Sequence, residues 1–194
     1  MKHVLLAFFV SVFFFGNGNA LAKENMYNPT CVFPFAGQVT DEGVADMIGT
    51  ILANCAPNDR LLIHVFSQGG SEQAAFTFYN FLRRWPGGVD TVAVGNVLSA
   101  AIPIFLAGEY RTIDWSSVIL VHPASQFIQT DADIRFLRER TSMLRHNDDI
   151  YVSIIAERTG LTLGEVYRLN ELSEVFETNR ALELGFAHEV LPRP

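Results

Sequence analysis

Cysteine is almost missing from this chain: Cys31 and Cys55 are the only two in 194 residues, and they stand far apart. The five histidines form no His-x-x-x-His pair. No metal-ligand cluster is legible, and neither a metal nor any other cofactor is expected. Basic residues are also few, with 14 Lys and Arg against 21 Asp and Glu, a formal charge of -7. Apart from Arg83-Arg84 and the grouping of Arg135, Arg138 and Arg140 they are scattered, which argues against a nucleic-acid partner. There is no repeat, no low-complexity tract and no interdomain linker, so one domain is expected. The longest apolar run, Val4 to Phe15, is broken only by Ser11. As a helix it would span about 18 Å, short of a ~30 Å hydrocarbon core.

That run has a different reading. Lys2 precedes it, Gly16-Asn17-Gly18-Asn19 breaks it, and Ala20-Leu21-Ala22 matches a small-x-small cleavage site. Residues 1–22 therefore read as a secretory signal peptide, with the mature domain over 23–194 and a periplasmic or secreted location; an uncleaved anchor is the alternative. Export bears on the cysteines. In an oxidising compartment Cys31 and Cys55 can close a loop of about 25 residues, worth on the order of 3 kcal/mol. The other reading is two buried thiols acting as small core residues.

With 49% hydrophobic residues the chain can bury a substantial core. Strands are predicted at Cys31–Phe35, Arg60–Phe66, Asp90–Val94, Arg111–Ile113, Val118–Val121 and Ala187–Val190. The RLLIHVF strand is expected to be buried on both faces. Helices are predicted from Thr40 to about Leu52, over Ala74–Trp85, Ala100–Leu106, Asp131–Arg158, Leu163–Leu169 and Asn179–Leu184. Strands alternating with helices imply βα units, a largely parallel sheet and the α/β class.

Three strand ends carry polar residues. Ser67-Gln68-Gly69-Gly70-Ser71 is a Gly-rich turn, Ser99 lies where strand gives way to helix, and His122-Pro123 ends another strand. In open parallel sheets ligands bind at such ends. Read alone, Ser99 is a helix cap, the glycines shape a turn and His122 satisfies a local hydrogen bond. Read together, His122 is the base a serine nucleophile needs, and an oxyanion requires two donors. The N–H of Ala100 is one, and Gly69 or Gly70 offers the other. His64, inside a strand, reads as structural, and His188, on the last strand, reads as a residue supporting the site from behind its contact groups.

From Phe33 to Val190 these features resemble the proteolytic subunit of Clp protease, a serine peptidase of the ClpP/crotonase-like fold. Phe35-Ala36-Gly37-Gln38-Val39 resembles the strand and turn before that family's first helix. Ser67-Gln68-Gly69-Gly70-Ser71 resembles its Ser-Pro-Gly-Gly-Ser loop, with Gln68 for proline. Gly95-Asn96-Val97-Leu98-Ser99-Ala100-Ala101 resembles its nucleophile turn, Val121-His122-Pro123 the segment carrying its base, and Ala181 to Ala187 its Ala-x-x-x-Gly-Leu-Val ending. The resemblance implies Ser99 as nucleophile, His122 as base, and an oxyanion hole from Gly69 or Gly70 with Ala100. It also implies a peptide or unfolded-protein substrate held as an added strand, a long handle helix, and a homo-oligomeric ring.

Three departures from the family matter. Its third catalytic residue is an aspartate; counting back from Gly185 puts Leu169 at that place and Asn170 one residue on, with Glu171 beyond. Asn170 is the tentative third member, an amide that can orient His122 without supplying charge. The segment before the first strand is short, and the signal peptide directs the chain away from ATP. No ATPase partner is therefore expected. The leading expectation is an exported, ATP-independent serine peptidase. The alternatives are a non-catalytic binding or assembly module of the same fold, and another acyl-transfer or hydratase chemistry on it.

Overall fold

The computed structural model describes residues 30–125 and 133–194. The expected signal peptide and cleavage point lie outside these residues, as does Asp131, the expected start of the long helix. The described chain runs β1 (Cys31–Val39), α1 (Asp41–Asn54), β2 (Leu61–Gly70), α2 (Glu72–Arg83), β3 (Val89–Leu98), α3 (Ala101–Leu106), β4 (Tyr110–Asp114) and β5 (Val118–Leu120). It continues with α4 (Ile134–Thr159), α5 (Leu163–Leu172), β6 (Val175–Glu177), α6 (Thr178–Glu183) and β7 (Glu189–Leu191). The sheet order is β1-β2-β3-β4-β7, all parallel, with β5 parallel to the far end of β3 and β6 antiparallel to β5. This is the α/β architecture read from the βα alternation.

Local chemistry sets most helix starts. Thr40, Ser71 and Asp133 each accept an N–H from the first turn of α1, α2 and α4, at 3.0, 3.2 and 2.8 Å. Thr162 and Glu165 cap α5 reciprocally. At the other end of α4, Gly160 takes φ 83°, which closes that helix. The inward face of β2 and all of α3 supply the centre of the core, where Ile63, Val65, Ile102, Ile104, Phe105 and Leu106 are fully buried.

Several expectations change. β2 alternates between buried and outward residues, so RLLIHVF is not covered on both faces: Phe66 is 48% exposed and His64 half-buried. With Val32 and Val94, Phe66 forms an apolar outer face that one copy of the chain leaves open. β3 does not stop at Val94 but continues to Leu98, changing partner at a bend instead of ending. It pairs β4 through Ala93 and β5 from Asn96. Gly95, at φ 70°, makes the bend between them. The buried Ser117 hydroxyl splints it, accepting from the Gly95 N–H (2.8 Å) and donating to the Ala93 carbonyl (3.0 Å). β2 likewise extends through Gly69-Gly70, which belong to a strand end as well as to a turn. β6 is unforeseen, being too short to show periodicity.

The structure pairs Cys31 with Cys55, joining the start of β1 to the end of α1 with Cα atoms 6.4 Å apart. At the opposite edge, half-exposed His188 accepts the Arg111 N–H at Nδ1 (3.0 Å) and stacks on Tyr110. Burial first, then the positive Arg111 and Arg158, hold its pKa down at about 4.

Candidate active site

Ser99 sits between β3 and α3 in the left-handed region, at φ 55°. A non-glycine residue there is strained by about 1–2 kcal/mol. Three backbone bonds hold it. Its N–H donates to the Leu120 carbonyl (2.9 Å), and its carbonyl accepts from the Ile102 N–H (2.9 Å) and the Tyr151 hydroxyl (3.3 Å). The capping role is not filled: the residue before α3 is Ala100, and no side chain caps that helix. With its backbone fully engaged and its hydroxyl not spent on a cap, Ser99 presents the hydroxyl to a cleft.

The cleft, about 690 Å³, is lined by Gly70, Glu72, Ser99, His122, Arg140 and Asn147 among others. His122 is half-buried, and its Nδ1 lies 2.8 Å from the Pro123 carbonyl. A carbonyl can only accept, so the proton sits on Nδ1 and the lone pair on Nε2. That is the tautomer a general base needs, set here by backbone. Among the described residues no hydrogen bond joins Ser99 to His122, a contact that in free enzymes often forms only with substrate.

Backbone register sorts the two glycines. The Gly69 N–H donates to the Ser67 hydroxyl at 3.1 Å. The Val39–Gly70 pair closes through the Ser71 N–H onto the Val39 carbonyl (2.8 Å). In a parallel ladder that pattern engages Val39 and leaves the Gly70 N–H directed away from β1. Gly70 lines the cleft and Gly69 does not. Gly69 instead gives clearance: at φ 91°, a Cβ there would lie 2.6 Å from the Ser99 Cβ and 3.1 Å from the Ala100 nitrogen.

Asn170 lies on α5, only 3% exposed. Its Nδ2 donates to Asp148 Oδ1 (3.4 Å), and its own Oδ1 is buried with no partner among the described residues. It does not reach His122 by a hydrogen bond. Asp148, half-buried on α4, also accepts the Ala124 N–H at 2.8 Å. Glu72 opens α2 against the same cleft. Burial raises its carboxyl pKa, with Asp148 adding to the rise and the Asn147 bond and His122 opposing it. Sequence reasoning missed Asp148, Glu72 and Tyr151. One signal was available, since Asp148 shares a helical stripe with Tyr151 and Ile155, and a carboxylate on a buried stripe needs a partner.

No group of three or more His, Cys, Asp or Glu able to hold a metal occurs among the described residues. None of the described helices is long and apolar enough to cross a membrane.

Fold, Ser99 turn and cleft together match a protein of the ClpP type. A ClpP1 from Listeria monocytogenes, solved as an asparagine-to-aspartate variant, superposes with a TM-score of 0.75 at 20% identity, covering 89% of this chain and 96% of that one. The family model for Clp protease matches residues 22–194, and the chain belongs to that family. Two proteolytic subunits of the ATP-dependent Clp protease from Thermobifida fusca are similar. Subunit 2 is 26% identical over 81% of this chain and 79% of its own length. Subunit 1 is 27% identical over 80% and 71%.

Proposed function

We propose that this chain is an exported serine peptidase that cleaves short or unfolded polypeptides without an ATPase partner. Ser99 is the nucleophile and His122 Nε2 takes its proton. The N–H groups of Gly70 and Ala100 bind the oxyanion, and Gly69 keeps the space in front of them clear. The observation that carries this reading is Ser99 held at φ 55°, on the same cleft as an imidazole whose proton is on Nδ1. Homo-oligomeric assembly is supported by the open apolar face at Val32, Phe66 and Val94, since parallel sheets are ordinarily covered on both sides. Export rests on the composition of residues 1–22, and the absence of an ATPase partner rests on export.

The test is labelling of the mature chain with a fluorophosphonate probe, alongside hydrolysis of a peptide pool without ATP. Labelling and hydrolysis that vanish in Ser99→Ala and His122→Ala support the peptidase. Folded, assembled wild type that neither labels nor hydrolyses refutes it. That outcome would favour the non-catalytic module, a reading supported by the lack, among the described residues, of any carboxylate hydrogen-bonded to His122.

A further inference from the structure

The family resemblance expects a charge behind the catalytic base, and Leu169, at the aspartate's place, is 6% exposed and packed in the core. Three contacts place a carboxylate elsewhere. Asp148 Oδ1 accepts the Ala124 N–H at 2.8 Å, two residues after His122 and next to the Pro123 carbonyl that fixes the imidazole tautomer. The same oxygen accepts the Asn170 Nδ2 at 3.4 Å, from an amide buried to 3% exposure whose Oδ1 has no partner. One turn further along α4, the Tyr151 hydroxyl donates to the Ser99 carbonyl at 3.3 Å. A single face of α4 thus touches both the base segment and the nucleophile turn.

We infer that Asp148 is the positioning carboxylate of this site, holding the His122–Ala124 segment, and that Asn170 serves it as a buried donor. This rests on the assignment of His122 as base. The tautomer is set by a backbone carbonyl, so it is only as well defined as the segment bearing that carbonyl. A charge-assisted bond from the adjacent N–H pins that segment. Asn170 donates to the carboxylate instead of accepting from the imidazole, which explains why an amide serves at this position. A second carboxylate at residue 170 would stand against the first at 3.4 Å, where two like charges cannot both ionise freely.

The test compares fluorophosphonate labelling rates, as a function of pH, in wild type, Asp148→Asn, Asn170→Asp and the swapped double variant Asp148→Asn/Asn170→Asp. Misplacing a base by about 1 Å costs about 10²-fold. Asp148→Asn is expected to slow labelling by that order and to shift the lower inflection of the pH profile. Asn170→Asp alone also slows it. The double variant, which keeps one carboxylate and one amide across the pair, recovers most of the rate. Asn170→Asp faster than wild type, or Asp148→Asn at the wild-type rate, overturns the inference. Ring ¹⁵N shifts of His122 on the same proteins need no activity. They read a single Nδ1–H tautomer in wild type and a mixture in Asp148→Asn, and an unchanged tautomer there overturns the inference even if no variant labels.

Discussion

Replacing Gly69 by alanine should disable the nucleophile turn, and the cost can be worked from the structure. Gly69 holds φ 91°, which charges an L residue about 1–2 kcal/mol. The added Cβ would also meet the Ser99 Cβ at 2.6 Å, the Leu98 carbonyl at 2.8 Å and the Ala100 nitrogen at 3.1 Å. Two of these are backbone atoms of a segment held by bonds to Leu120 and Ile102, so relief by side-chain rotation is not open to them. Overpacking of this kind costs about 1–3 kcal/mol, for a total of about 2–5 kcal/mol. Gly160 provides the control, with φ 83° but nothing within 4 Å of its added Cβ, so Gly160→Ala should lose only about 1–2 kcal/mol. At about 2–4 °C per kcal/mol for a domain of this size, thermal melts should fall by roughly 4–20 °C for Gly69→Ala and roughly 2–8 °C for Gly160→Ala. Labelling of Ser99 should be lost in the first and kept in the second. Equal melting shifts with retained labelling in both would show that Gly69 is only a turn residue.

The Cys31–Cys55 bond closes a segment of sequence separation 24, so the paired Cys31→Ser/Cys55→Ser variant should lose about 3 kcal/mol in urea unfolding. Wild type in excess reductant should match it, and no difference between oxidised and reduced protein would rule the bond out as a stabilising element. A pH effect follows from His188, whose folded pKa of about 4 lies below its ordinary 6.5. The unfolded chain binds the proton first, so this contribution is complete above about pH 6.5 and is lost as pH falls towards 4. Protonating Nδ1 also breaks the bond from the Arg111 N–H. Because the ring is partly exposed, solvent screening reduces the effect to on the order of 1 kcal/mol. His188→Gln should flatten the urea midpoint between pH 7 and 4.5, and a midpoint equally pH-dependent in the variant would dismiss His188 as the source.

Legibility in the sequence followed the range of the interactions. Gly69-Gly70, Ser99 and His122 were legible as strand-end positions because each interrupts an apolar run with glycine or a polar side chain. The helix start at Thr40 was readable because the capping oxygen and the N–H it accepts are three residues apart, while the same spacing at Ser71 and Thr162 went unread. The extent of β3 was not, since its second half is ordered by β5 and by Ser117, whose hydroxyl reaches back 22 residues to Gly95. Which of the Gly69 and Gly70 N–H groups is taken up locally was likewise closed to sequence, because the Ser67 hydroxyl that accepts from Gly69 announces nothing in a strand of serine, glutamine and glycine.

Asn170 shows the limit most clearly. Compared position by position, Leu169 stands where the family has its aspartate and Asn170 only follows it, so the charge reads as lost and the site as impaired. In space, the amide faces Asp148 from 22 residues away, and Asp148 faces Ala124 from 24. A carboxylate that acts on a base need only reach the segment bearing it, and a helix crossing behind that segment can supply it as well as one ending beside it. Sequence order preserves the identity of a catalytic group only when the group stays on the same element. With the carboxylate on α4 and the amide on α5, the two residues look unrelated until the helices are packed together. Amide and carboxylate should therefore be interchangeable as a pair and not singly.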